Sequence, residues 1–218
     1  MKKGVYFISG IDTDAGKSYA VGILAKRLSE AGHSVITQKF IQTGGVSENG
    51  ISLDINIHRQ IMGCGLLPED LDGTTCPVIF SYPASPHLAA KIDNTTINFN
   101  AIKESEQLLS SKYDYLLMEG AGGLCVPLEG DKTTIDFIAD GNYDLIFVTS
   151  GKLGSINHTI LSLEACKKRS INVSAILYNH HFTSGNEIIS NDTLEYLKNY
   201  ISNHYPNAEF IEIEDIGD

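Results

Sequence analysis

The chain has 218 residues, 42% hydrophobic and 20% charged, a composition that suits one globular core and excludes a disordered or fibrous class. Its formal net charge is −11, and no Lys/Arg cluster offsets it, so nucleic acid is not expected as a partner. The charge leaves nucleotides open, because a local loop and a bound cation reverse the field at one site.

In chain order, the opening MKKGVYFISG carries an apolar run too short for a signal-peptide core, and no segment approaches the ~20 apolar residues of a membrane span. Cys64, Cys76, Cys125 and Cys166 form no C-x-x-C pair. They read as reduced thiols, and a cytoplasmic protein without a membrane partner is expected. Val5–Ile8 predicts a first strand, and Val21, Leu24, Ala25 and Leu28 share one face of a helix that Gly32 stops. Further apolar runs at 34–37, 115–118, 145–148 and 173–177 predict strands. Helical stretches are expected at 101–111, 155–169 and 187–202. Continuous rather than alternating runs suit strands covered on both faces, so the pattern predicts a mostly parallel sheet with helices on both sides. Residues 40–98 read as an irregular insertion of the kind that builds a binding surface. No linker or repeat divides the chain, so one domain over 1–218 is expected.

Gly10-Ile11-Asp12-Thr13-Asp14-Ala15-Gly16-Lys17-Ser18 follows the first strand and opens the first helix, as a phosphate-binding loop requires. Glycines let the backbone turn its N–H groups inward, and the helix N-terminus adds donors and a favourable dipole. Lys17 would then reach the β- and γ-phosphates, and Ser18 would offer a hydroxyl to Mg²⁺. The spacing has one residue more than G-x-x-x-x-G-K-[ST]. Glu119 ends the third strand just before Gly120-Ala121-Gly122-Gly123, at the strand end where ligands bind in a parallel sheet. Its carboxylate is a candidate hard-oxygen ligand for Mg²⁺. Asp54 reads either as a second ligand or as a helix cap.

These blocks resemble the dethiobiotin synthetase family over nearly the whole chain. The resemblance rests on the longer loop at 10–18, on Gln38-Lys39 followed by Thr43-Gly44, on Asp54, on Pro83-Ala84-Ser85-Pro86-His87, and on Met118–Gly123. Val126-Pro127-Leu128 and Lys152-Leu153-Gly154-Ser155-Ile156-Asn157-His158 extend it. It implies a P-loop NTPase fold and closure of a urea ring on 7,8-diaminononanoate with CO₂ and ATP, in a homodimer. It places Lys17 and Lys39 beside the transferring phosphoryl group and the carbamate. Ser18, Asp54 and Glu119 would hold Mg²⁺. Asp12, Thr13, Asp14, Ala15, Gly16 and Tyr19 would surround ATP, and Asn179 would meet the adenine. Thr13, Thr43, Gly122 and Pro127 would line the diamine site. Leu153, Gly154, Ser155 and Asn157 would reach the substrate carboxylate of the neighbouring subunit.

The chain departs from the family pattern at Phe40, where proline is usual, and at Phe210–Glu214, where a Gly-x-Ile-Pro type segment is usual. A rival reading is an ATPase switch of the septum-positioning or plasmid-partition kind. It is disfavoured because Ile11-Asp12-Thr13 lacks the extra early lysine of those loops. A non-catalytic nucleotide-binding module is disfavoured by retention of both lysines and both carboxylates. His87 and His158 read as structural. Lys167-Lys168-Arg169 complements a helix C-terminus, and Glu209, Glu212, Glu214, Asp215 and Asp218 form an acidic tail.

Overall fold

The computed structural model describes residues 1–183 and 185–214; Asp215 and Asp218 of the acidic tail lie outside them. Its strands are β1 (Gly4–Gly10), β2 (Val35–Lys39), β3 (Gln42–Thr43), β4 (Ile79–Phe80), β5 (Tyr115–Gly123), β6 (Pro127–Glu129), β7 (Lys132–Thr133), β8 (Asp144–Gly151), β9 (Val173–Thr183) and β10 (Glu209–Ile213). The helices are α1 (Lys17–Glu30), α2 (Leu53–Met62), α3 (Pro68–Leu71), α4 (Pro86–Ile92), α5 (Phe99–Lys112), α6 (Thr134–Asp140), α7 (Ser155–Lys168) and α8 (Glu187–His204). Six strands form the central sheet in the order β10-β9-β8-β1-β5-β2, and every pairing in it is parallel.

Side-chain alternation along the strands makes two cores. Phe7, Met118, Phe147 and Ile176 face one side, against Ile102 of α5, Ile138 of α6, Leu163 of α7 and Ile201 of α8. Ile8, Leu117, Ile146 and Leu177 face the other, against Val21, Leu24 and Ala25 of α1. Burial on both faces is why these strands read as unbroken apolar runs. The arrangement is the expected α/β fold with helices on both faces.

The insertion is more regular than expected, for it contains β3, α2, α3, β4 and α4. Most of these are too short for any periodicity to register. The longest, α2, packs Ile55, Ile61 and Met62 inward but also buries His58 and Arg59, so its inner face mixes apolar and polar side chains. It lies close on α1 because residue 22 is glycine; a Cβ there would stand 2.9 Å from Ile61 Cδ1. This packing brings the N-terminal turn of α2 to the carboxyl ends of β2 and β5.

Phe40 follows β2 and explains why this chain tolerates a residue other than proline. Its ring is fully buried, edge-on to Phe7 at 5.3 Å and tilted on Phe137 at 4.6 Å. Its N–H donates to the Glu119 carbonyl at 2.8 Å, a bond proline could not make. Replacing Phe40 with alanine is expected to cost about 3–5 kcal/mol, read as a lower urea midpoint with an unchanged denaturant slope.

Candidate active site

The loop between β1 and α1 is held from three directions. Asp12 accepts from the Thr13 N–H at 2.7 Å, capping a single 3-10 turn over Thr13–Ala15. Lys152 Nζ donates to the Asp14 carbonyl at 3.1 Å. Asn179, fully buried on β9, donates to the Gly16 carbonyl at 3.2 Å, while its Oδ1 accepts from the His181 N–H at 3.1 Å. Gly16 takes φ 72°, a left-handed conformation that glycine adopts at little cost, and α1 starts at the next residue. Ala15, the last residue of the 3-10 turn, is buried. Tyr19, on the first turn of α1, stacks on His181 with ring centroids 4.8 Å apart.

The side chains that carry charge meet at the ends of β2, β5 and α1. Ser18 Oγ lies 3.0 Å from Asp54 Oδ1 and 2.9 Å from Glu119 Oε1. Lys39 Nζ stands 2.5 Å from Asp54 Oδ2 and 2.9 Å from Glu119 Oε1. Burial would push the Lys39 amine down, but the two carboxylates outweigh it and raise it above its ordinary value. Burial would push the Glu119 carboxyl up, but the Lys39 charge and the His58 hydrogen bond hold it well below the carboxylate range. Lys17 Nζ instead lies on its own loop, donating to the Asp12 carbonyl at 2.8 Å and the Thr13 carbonyl at 3.3 Å. Burial first, and the Lys39 charge second, bring its amine down to about 8.

Asp54 is not a cap. Ser52 caps α2, its Oγ accepting from the Ile55 N–H at 3.3 Å, and this leaves the Asp54 carboxylate in the site. Lys39 is already one cation beside these carboxylates, and Ser18 Oγ, Asp54 Oδ1 and Glu119 Oε1 together form a cluster of hard oxygens. The donor set therefore fits Mg²⁺. Among the described residues no three His, Cys, Asp or Glu side chains form a metal cluster, so phosphate oxygens and water would complete such a shell.

Thr13, Lys17, Ser18, Lys39, Thr43, Asp54, Glu119 and Gly122 line one cavity of about 230 Å³. A neighbouring cavity of about 370 Å³ shares Thr13, Thr43 and Gly122 and runs on to Pro83–Pro86 and Val126. The two form a groove leading away from the charge cluster. Pro127 lies on β6, just past Val126, and lines neither cavity. Leu153, Gly154, Ser155 and Asn157 also stay outside this groove, at the N-terminus of α7. There Leu153, Gly154 and Asn157 are exposed, and Ser155 is buried with its Oγ 3.2 Å from Ser150 Oγ. His87 contacts Ser85 Oγ through Nδ1 at 3.0 Å, as a structural residue would.

The chain matches the AAA domain family over residues 4–205. It is 50% identical over 210 residues to the ATP-dependent dethiobiotin synthetase BioD 2 of Haemophilus ducreyi, covering 96% of this chain and 98% of that one. The chain belongs to the dethiobiotin synthetase family. Its similarity to the dethiobiotin synthetase BioD of Chlorobaculum tepidum is 49% over 191 residues, 88% of this chain and 79% of that one. A plasmid partition protein from Borrelia burgdorferi shares the fold at a TM-score of 0.54 and 15% identity, covering 99% of this chain and 89% of that one. Family membership makes the chain an ATP-dependent ligase of biotin biosynthesis. No helix among the described residues is long and apolar enough to cross a membrane.

Sequence reasoning passed over His58, Thr37, Arg59 and Asp70, which stand behind Glu119. The one signal was spacing, because His58 lies four residues after Asp54 on the same helix face. The low carboxyl values of Glu119 and Asp70 make stability pH-dependent. A carboxylate depressed in the fold stabilises fully above its unfolded value, 4.5 for Glu119, and the benefit is lost as pH falls below it. Resistance to urea unfolding is therefore expected to fall steadily below about pH 5, and the fall should be shallower in Glu119→Gln.

Proposed function

We propose that the enzyme condenses 7,8-diaminononanoate with CO₂ and ATP to form dethiobiotin, ADP and phosphate. The observation that carries this reading is Lys39, buried between Glu119 and Asp54 at the floor of a cavity that Lys17 and Ser18 also line. A phosphoryl transfer needs positioned positive charge more than a side-chain nucleophile; Lys17 and Lys39 provide two such charges in this cavity, and Asp54 and Glu119 leave it able to take a divalent cation.

In this reading one amine of the diamine adds to CO₂ and loses a proton, giving a carbamate. A carbamate oxygen attacks the γ-phosphorus of ATP, and ADP leaves. The second amine then attacks the carbonyl of the carbamic–phosphoric anhydride, phosphate departs, and the cyclic urea closes. Lys17 leaves the Asp12 and Thr13 carbonyls for the phosphates, and Lys39 sets its charge against the carbamate and the transferring group. Ser18, Asp54 and Glu119 would hold Mg²⁺, which supplies charge neutralisation across the phosphates when bound. Thr13, Thr43 and Gly122, at the junction of the two cavities, orient the diamine so that its second amine faces the anhydride; such orientation lowers the barrier by several kcal/mol. Pro127 follows Val126, which lines the groove, but does not line it itself, and Asn179 and Tyr19 lie on the side of the loop where the adenine would sit.

The exposed N-terminus of α7 lies outside the groove of its own chain. It suits a homodimer in which Leu153, Gly154, Ser155 and Asn157 close the partner's site and meet the substrate carboxylate with helix N–H groups. A cytoplasmic setting without nucleic-acid or membrane partners belongs to the same reading.

Phosphate release with ATP, Mg²⁺ and bicarbonate should depend on the diamine and match the mass of a product gaining the urea carbonyl. Hydrolysis indifferent to the diamine would contradict the reaction. Lys17→Ala and Lys39→Met should each lower diamine-dependent turnover by about 100-fold or more. Asn157→Ala should raise the apparent KM for the diamine about 10-fold with kcat nearly kept, the loss of one hydrogen bond to a charged group.

A further inference from the structure

Glu119 divides its two oxygens between different neighbours. Oε1 faces Ser18 and Lys39 in the cavity, whereas Oε2 lies 2.7 Å from His58 Nε2, behind it. His58 is fully buried, and its Nδ1 is 3.0 Å from Thr37 Oγ1. Thr37 Oγ1 accepts from Arg59 Nη1 at 2.8 Å. Arg59, 2% exposed, grips Asp70 with Nε and Nη2, both at 2.8 Å. Asp70 in turn accepts from the Thr75 hydroxyl at 2.7 Å and the Leu67 N–H at 2.8 Å.

The hydrogens along this chain can run in one direction only if each is to find an acceptor. Arg59 donates to Thr37, so the Thr37 hydroxyl hydrogen is available for His58 Nδ1. His58 then carries its hydrogen on Nε2 and donates it to Glu119. The tautomer is assigned from this pattern of partners. The line ends on an ion pair that is itself saturated, so no member can rotate without orphaning a buried polar group.

We propose that His58 is a positioning residue that ties up Oε2 of Glu119 and so presents Oε1 alone to a phosphate-bound cation. The proposal rests on the reading of Glu119 as a ligand of that cation. Because His58 and Asp54 share one face of α2, the same helix delivers one carboxylate and braces the other. Neighbours that orient a metal-binding group commonly change metal affinity or activity by about 10–100-fold when removed.

Two amide substitutions separate positioning from mere core filling. His58→Gln places an N–H donor near the position of Nε2 and keeps the Glu119 bond. His58→Asn is shorter, places its amide near Nδ1, and keeps only the Thr37 contact. The readout is the affinity of Mn²⁺ for protein saturated with a non-hydrolysable ATP analogue, followed by electron paramagnetic resonance, with circular dichroism reporting the fold. Turnover against Mg²⁺ concentration is measured alongside. The Asn variant should bind Mn²⁺ about 10–100-fold more weakly and shift the Mg²⁺ dependence by the same factor. The Gln variant should stay within about 3-fold of the parent. Equal affinities for a folded Asn variant and the parent, or equal losses in Asn and Gln, would overturn the proposal. Glu119→Gln serves as the control. If it leaves Mn²⁺ affinity unchanged, the reading of Glu119 as ligand fails, whatever His58 does.

Discussion

The structure turns on one buried ammonium. Lys39 lies at the end of β2, is 5% exposed, and meets carboxylates from two other elements, Glu119 on β5 and Asp54 on α2. Removing these charges from water is costly, and their mutual attraction offsets the cost only while all three hold their geometry. The parallel register that sets Lys39 directly opposite Glu119 thus holds this ion pair as well as shaping the sheet. The same requirement explains Phe40, whose N–H ties the chain just past Lys39 to the Glu119 carbonyl.

The phosphate loop is built on a different principle. Its backbone carbonyls at Asp12, Thr13, Asp14 and Gly16 are held by the amines of Lys17 and Lys152 and by the Asn179 amide. Lys17 is thereby poised rather than locked, because it rests on neutral carbonyls and not on a carboxylate. A lysine in that state can exchange its partners for phosphate oxygens without breaking an ion pair. Lys39 cannot move so cheaply, which suits a fixed charge beside the reacting groups. In the proposed reaction the two lysines would divide the work of binding and holding.

The insertion joins these two systems. Gly22 lets α2 settle on α1, and the inner face of α2 then sends Asp54 into the cavity and His58 and Arg59 behind it. The polar residues below this face form a hydrogen-bonded line to Asp70 and Thr75, so their burial leaves no donor stranded. Ile55, Ile61 and Met62 give this helix its apolar contacts, and the buried His58 and Arg59 give it orientation.

By itself the sequence determined the sheet, the loop and the chemistry-bearing types. The apolar runs at 5–8, 115–118 and 145–148 could only be strands covered on both faces, and Gly16-Lys17-Ser18 after the first of them marked a phosphate site. These signals are local, since each depends on residues within one turn or one strand. The placement of Asp54 was not local: the Ser52 cap lies within one turn, but only packing across elements sets the Asp54 carboxylate against Ser18 and Lys39. Nor could the line from Arg59 through Thr37 and His58 to Glu119 be read from the chain, because it joins residues up to 82 positions apart by contacts that leave no periodic trace. Only tertiary packing of α2 against β2 and β5 decides which carboxylate oxygen faces the cavity, because hydrogen bonds across elements depend on distance in space and not on spacing in sequence.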